Sequence, residues 1–207
     1  RIKWMNHKDM LSVQTLNRHQ DHLTMYAVNA KKNEVSVLLE EKDDAYVDIT
    51  DNLTFLEDDS FIWTSEKDGF NHIYLYGEDG NLMSQITKGD WEVTKYYGYD
   101  QNEDKIYYQS TENGSINRGV YNISSGGDDK KALAVTQGTN NASFSTDFTY
   151  FINTYSSAEI PPVYTLHKAI NGKKVKDIKD NGQLLQRLES YAVSPKEFST
   201  ISINGND

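Results

Sequence analysis

Phe61-Ile62-Trp63-Thr64-Ser65-Glu66-Lys67-Asp68-Gly69-Phe70-Asn71-His72-Ile73-Tyr74-Leu75-Tyr76 is an apolar run, a polar turn and a second apolar run. Its β-branched and aromatic residues suit a pleated, half-buried surface. Asp68-Gly69 supplies the positive φ that a tight hairpin needs. Glu78-Asp79-Gly80-Asn81 turns the chain again, and Leu82 to Thr87 brings it back. The stretch reads as a hairpin meander, one small sheet in outline.

The same grammar recurs along the chain. Trp4-Met5-Asn6-His7-Lys8-Asp9-Met10-Leu11, Phe55-Leu56-Glu57-Asp58-Asp59-Ser60-Phe61-Ile62, Tyr99-Asp100-Gln101-Asn102-Glu103-Asp104-Lys105-Ile106 and Phe144-Ser145-Thr146-Asp147-Phe148-Thr149-Tyr150-Phe151 each run from an apolar residue through a polar turn into an apolar strand. Further on, each repeat carries a Tyr in a second apolar run: Tyr26, Tyr76, Tyr121 and Tyr164, spaced 43 to 50 residues apart. That period holds one four-stranded antiparallel sheet, and a unit so small must stack on its neighbours to bury its apolar face. The expectation is an all-β chain, a β-propeller fragment of about four four-stranded antiparallel blades. The blades are placed at about 1–48, 49–90, 91–138 and 139–180, with 181–207 as a linker.

In the first repeat, strands are expected at Ile2 to Trp4, Met10 to Asn17, Leu23 to Val28 and Val35 to Leu39. The third offers Val93 to Tyr99, Lys105 to Ser110, Gly119 to Ile123 and Ala132 to Thr136. The fourth offers Ala142 to Ser145, Thr149 to Thr154, Val163 to Leu166 and Val175 to Ile178. Gln183 to Leu188 could form two helical turns, and Pro195 to Ile203 reads as an extended exit strand. Arg1-Ile2-Lys3-Trp4 resembles the middle of a strand, so the chain is expected to be cut from something longer.

Composition narrows the function classes. With 31 Asp+Glu against 21 Lys+Arg, the formal charge is −10. No basic run supplies the phosphate-neutralising charge that drives nucleic-acid binding, so no nucleic acid partner is expected. The chain has no Cys, which excludes disulfides, thiolate metal sites and a Cys nucleophile. No apolar run approaches the roughly 20 residues of a membrane helix.

Motifs for chemistry are missing from these residues. There is no Gly-x-Ser-x-Gly elbow, phosphate loop, His-Glu-x-x-His or dinucleotide fingerprint. His19 and His22 are near neighbours without a third ligand at metal spacing, and polar contacts in a hairpin loop are the expected role. His72 is expected to hydrogen-bond Asp68 across the turn. The acidic pairs Glu40-Glu41, Asp43-Asp44, Asp58-Asp59 and Asp128-Asp129 read as solvated turn residues. Glycosylation patterns stand at Asn52, Asn113, Asn122 and Asn141. No catalytic, metal or cofactor residue is assigned. Trp63, Tyr74, Tyr76 and Trp91 are assigned as structural blade anchors, because aromatic side chains contribute large buried areas.

Several strings go beyond generic propeller features. Phe61 through Tyr76 closely resembles a stretch of the dipeptidyl peptidase IV-like, prolyl oligopeptidase-type serine peptidases. Thr87-Lys88-Gly89-Asp90-Trp91-Glu92-Val93 is similar to that family's T-x-G-x-W-E-V. Leu16-Asn17-Arg18-His19-Gln20-Asp21, Ser143-Phe144-Ser145, Thr154-Tyr155-Ser156-Ser157, Pro161-Pro162-Val163 and Asp180-Asn181 follow in the family's order. The resemblance implies the second half of an eight-bladed propeller, followed in the parent by an α/β-hydrolase domain entered near Pro195 to Ile203. It implies an enzyme that releases N-terminal dipeptides with Pro or Ala second, through a Ser-Asp-His triad that lies in that other domain. By the same resemblance, the acidic pair that binds the substrate amine is expected upstream of this chain. After Tyr46-Val47-Asp48, a region that lines the pocket in some relatives reads Ile49-Thr50-Asp51-Asn52 here, without the Arg and Phe of those relatives.

The chain is therefore expected to be a non-catalytic segment that gates access of peptide substrates. Its partners would be the C-terminal hydrolase domain and, through open sheet faces, a second copy in a homodimer. An extracytoplasmic location follows from the resemblance. The alternative is a stand-alone propeller binding module for proteins or glycans, and a metal-dependent hydrolase propeller is a third reading. A Gly-x-Ser-x-Gly segment in the gene beyond Asp207 would decide for the peptidase.

Overall fold

The alternating apolar runs pair with their sequence neighbours throughout. A computed structural model describes residues 1–191, 193–194 and 196–202. Among them, sixteen strands form four antiparallel four-stranded sheets in chain order. The first sheet contains β1 (Ile2–Trp4), β2 (Met10–Leu16), β3 (His22–Asn29) and β4 (Glu34–Lys42). The second contains β5 (Thr54–Phe55), β6 (Phe61–Ser65), β7 (His72–Tyr76) and β8 (Leu82–Gln85). The third contains β9 (Val93–Asp100), β10 (Lys105–Ser110), β11 (Gly119–Ile123) and β12 (Lys131–Ala134). The fourth contains β13 (Thr139–Phe144), β14 (Tyr150–Ser156), β15 (Val163–Lys168) and β16 (Lys174–Lys179). A helix, α1 (Gly182–Glu189), follows. The chain is thus almost all-β and has the architecture of a propeller fragment.

The repeated polar turn has a physical basis. Asp9, Asp59, Asp104 and Phe148 stand just before the second strand of their sheets, all with positive φ (66°, 59°, 48° and 51°). Asp tolerates this left-handed conformation better than most residues. Phe148 breaks the pattern, and its ring stacks on Tyr107 at 5.1 Å between centroids, which helps to hold it there.

Strand alternation sorts side chains into three cores. Phe61, Trp63, Tyr74 and Tyr76 face the first sheet, where they meet Leu23, Met25, Ala27 and Leu39. Ile62 and Ile73 point the other way, onto Ile106, Tyr108, Tyr121 and Ile123 of the third sheet. Tyr107 and Val120 pack on Ala142 and Phe151 of the fourth. Every residue of β6 and β10 is therefore buried, as central sheets of a stack require. Among the described residues no core joins the fourth sheet to the first, and Ile2, Trp4, Val35 and Val37 are exposed on the first sheet.

Some boundaries differ from the sequence reading. Ile86 and Thr87 leave the ladder expected to contain them, and both backbone N–H groups donate to Ile73 O, at 2.8 and 3.3 Å. Pro195 and Ile203, the ends of the expected exit strand, lie outside the described residues, and 196–202 form no regular element. Among the described residues, no helix is long and apolar enough to cross a membrane.

Candidate functional site: the cleft between the first two sheets

A group of polar side chains with shifted ionisation lies where β4 meets the β6–β7 hairpin. Glu41 sits opposite Leu23 in the β3–β4 register, so its side chain shares the face that points to the second sheet. There it accepts a hydrogen bond from Trp63 Nε1 at 3.0 Å. Burial raises the Glu41 carboxyl above its ordinary value of 4.5, against the opposing effect of hydrogen bonds from Ser65 and Trp63 and the charge of Lys67.

Lys67 belongs to the hairpin turn closed by Gly69 N–H donating to Glu66 O at 2.8 Å. Its ammonium donates to the Tyr76 hydroxyl at 2.8 Å and lies 4.0 Å from the Tyr74 ring centroid and 5.0 Å from that of Tyr76. Both contacts are cation–π geometry. Burial lowers the Lys67 pKa, while Glu41 and Asp68 act to raise it. Burial, with the Glu41 charge behind it, pushes Tyr76 up to about 12. Glu66 is also raised, by burial first and then by Asp48, Glu92 and Asp43. A cavity of about 700 Å³ opens here, with Glu41, Asp48, Glu66, Lys67 and Tyr76 among its walls. On its floor the Thr64 hydroxyl accepts from Asn52 Nδ2 at 3.0 Å and shares a hydrogen bond with Thr50 at 3.3 Å. Ile49 also lines it.

These groups can hold a ligand by charge and hydrogen bonding. Among the described residues, no three His, Asp or Glu side chains are grouped to hold a metal.

The residues assigned from sequence fall as follows. Trp63, Tyr74 and Tyr76 are buried in the core between the first two sheets. Trp91 is half-buried against the next core, edge-on to His72 (4.9 Å, 85°) and stacked over Tyr108 (6.3 Å, 9°). His72 does not bond Asp68. It is fully buried at the start of β7, where its ring nitrogens contact Thr87 Oγ1 (3.1 Å) and Gly89 O (3.0 Å). Asp68 instead accepts from Gln85 Nε2. His22 contacts Glu40 at 3.1 Å, and His19 is exposed in the loop.

The acidic pairs are not uniformly solvated turns. Glu40 and Glu41 lie within β4. Asp59 is 2% exposed and accepts from the backbone N–H of Asn6 (2.8 Å) and His7 (3.0 Å), with His7 Nδ1 2.5 Å away. It thereby ties the second sheet to the first. Asp129 pairs with the buried Lys105 at 2.7 Å. Asn122 is also fully buried, donating to Ala169 O and Ile170 O, so its glycosylation pattern is inaccessible in the folded chain. The one available signal for Glu41 was its place two residues beyond Leu39, on the same face of the strand.

Comparison with known proteins agrees with this architecture. The family model for the dipeptidyl peptidase IV (DPP IV) N-terminal region matches residues 1–162. A protein described as "Probable dipeptidyl peptidase 4" from Aspergillus flavus is 28% identical over 198 residues, covering 88% of this chain and 25% of that protein. Dipeptidyl peptidase 4 of Trichophyton equinum is 27% identical over 215 residues, covering 98% of this chain and 27% of that protein. The crystal structure of Porphyromonas gingivalis dipeptidyl peptidase 4 is similar over 100% of this chain and 29% of that one, with TM-score 0.90 and 40% identity. The chain therefore spans about a quarter of the length of the curated relatives it matches.

Proposed function

This chain belongs to the dipeptidyl peptidase IV N-terminal region family, and from that membership we propose that it is a non-catalytic propeller segment of a serine exopeptidase. The parent would release N-terminal dipeptides with Pro or Ala second. Its nucleophile, Asp and His would come from a C-terminal α/β-hydrolase domain docked on these sheets. The sheets would wall the reaction chamber and restrict entry to short or unfolded peptides. The observation that carries the reading is the agreement of fold with a dipeptidyl peptidase 4 over the whole chain. Pairing of the open sheet faces with a second copy and export of the parent belong to the same reading, and both rest on kinship and exposed apolar residues.

The test is a chromogenic Gly-Pro dipeptide assay on two proteins, the pure 207-residue chain and the parent with its hydrolase domain. Turnover by the parent and none by the chain is expected. Robust turnover by the pure chain would overturn the assignment.

A further inference from the structure

The third and fourth sheets meet at a point where their backbones are joined directly. Arg118, just ahead of β11, donates its N–H to Gly138 O at 2.9 Å, and its carbonyl accepts from Asn140 N–H at 2.9 Å. The two bonds make a short parallel bridge between Arg118 and Thr139, the first residue of β13. The Arg118 side chain is held as well, since Nη1 donates to Ser115 O and Asn117 O, each at 2.9 Å. Among the described residues, its Nε and Nη2 have no partner and the guanidinium pairs with no carboxylate.

A cavity of about 500 Å³ opens beside this bridge, with Lys95, Gln109, Arg118, Thr139 and Asn141 among its walls. Lys95 stands opposite Gln109 in the β9–β10 register. Its ammonium is 5.1 Å from the Tyr97 ring centroid and also pairs with no carboxylate among the described residues. Gln109 is buried and held at both ends, accepting from the Thr94 hydroxyl at 2.7 Å and donating to Asn140 O at 2.6 Å. The carboxamide oxygen of Asn141 accepts from the Tyr97 hydroxyl at 3.0 Å, which leaves its N–H groups free. The walls thus present two uncompensated cations, a free amide donor and the Thr139 hydroxyl, with no Asp or Glu among them. On a chain of formal charge −10, that is the reverse of the general surface. Ile116, 60% exposed, adds an apolar side.

We infer that this cavity is a binding site for a small organic dianion, a phosphate monoester or a dicarboxylate. The free Nε and Nη2 of Arg118 form the fork that takes two oxyanion oxygens at once. Lys95 supplies the second charge as a point contact. Asn141 and Thr139 donate to the remaining oxygens, and the apolar body of the ligand rests on Ile116. The volume falls in the range of small-molecule sites. Arg118 is fixed by backbone and side-chain bonds before a ligand arrives, so little ordering is lost on binding. This inference does not depend on the peptidase reading.

The test is isothermal titration calorimetry on the full 207-residue chain at low salt, with phenyl phosphate, phthalate and benzoate as probes. At about pH 8, above the second phosphate pKa, the first two are dianions. At least one of them should bind, and the better of the two tells a phosphate source from a dicarboxylate one. Benzoate, a monoanion with the same ring, should bind at least about tenfold more weakly. Lys95→Gln should weaken the dianion at least about fivefold, and Arg118→Gln by more. Lys95 makes no hydrogen bond among the described residues, so its variant tests the site even if Arg118→Gln loosens the 115–118 turn. Lys176→Gln removes the same charge from exposed β16 and should leave binding unchanged. Three results would each overturn the proposal. They are no binding of either dianion, equal binding of benzoate, or equal weakening by Lys95→Gln and Lys176→Gln, which would reduce the attraction to general surface charge.

Discussion

Trp63 of the second sheet donates its indole N–H to Glu41 of the first, 3.0 Å away, at the rim of the apolar core that the two sheets share. The bond makes a carboxylate tolerable where strand alternation would place an aliphatic side chain. Trp63→Phe keeps an aromatic ring but leaves that oxygen without its donor. The expected loss is about 1–3 kcal/mol of stability, read as a lower urea midpoint.

Glu41 also makes stability depend on pH. Its folded pKa is raised above 4.5 by burial, so the folded state holds the proton more tightly than the unfolded chain. Its contribution is fully present below about pH 4.5 and is lost as pH rises through the folded value. Glu41→Gln keeps an acceptor for Trp63 and removes the titration. The variant's urea midpoint should vary less with pH from 4.5 towards neutrality than that of the parent sequence. Identical slopes would remove Glu41 as the cause.

Asp59 should behave as a fastener between sheets. It accepts from two backbone N–H groups of the neighbouring sheet and sits at φ 59°. Asp59→Ala strands those donors and places Ala in a conformation it disfavours. The expected cost is about 2–3 kcal/mol, measured by thermal or chemical unfolding.

Two glycines with positive φ should respond differently to Ala. A Cβ at Gly80 would stand 2.0 Å from Leu38 O, whereas one at Gly69 meets nothing within 4 Å. Gly69→Ala should cost only the backbone strain, on the order of 1 kcal/mol. Gly80→Ala adds a collision between the second sheet and β4, and should cost at least about 1 kcal/mol more. Equal unfolding midpoints for the two variants would contradict this packing.

The tyrosines predict alkaline behaviour. Burial pushes Tyr76, Tyr97, Tyr99, Tyr107 and Tyr121 up to about 12, and raises Tyr74, Tyr96 and Tyr108 as well. Their contribution to stability is fully present below pH 10 and is lost as pH rises through the folded values. Phenolate absorbance from these eight tyrosines should therefore appear together with loss of the circular dichroism signal.

The repeat, the strand order and the turn residues were legible because they are local. A period-two pattern places Phe61, Trp63, Tyr74 and Tyr76 on one face wherever the sheet ends up. Asp-Gly and the repeated Asp before each second strand mark where the chain must reverse. The partners of polar residues were not legible in the same way. His72 reads as a turn residue beside Asp68, but its bonds reach Thr87 and Gly89, fifteen and seventeen positions along the chain. Asp59 reads as a solvated turn and meets residues more than fifty positions away.

By itself, then, this sequence determined four antiparallel sheets and the apolar face that each must bury, because hydrogen-bonding partners within a hairpin are sequence neighbours. Only the tertiary structure decided that Glu41 would be half-buried beneath Trp63, that Lys67 would lie over Tyr74, and that Gly80 would pack against the backbone of β4. Those features arise where one sheet meets the next, and the energy of a buried charge depends on partners that pairing within a sheet never brings near.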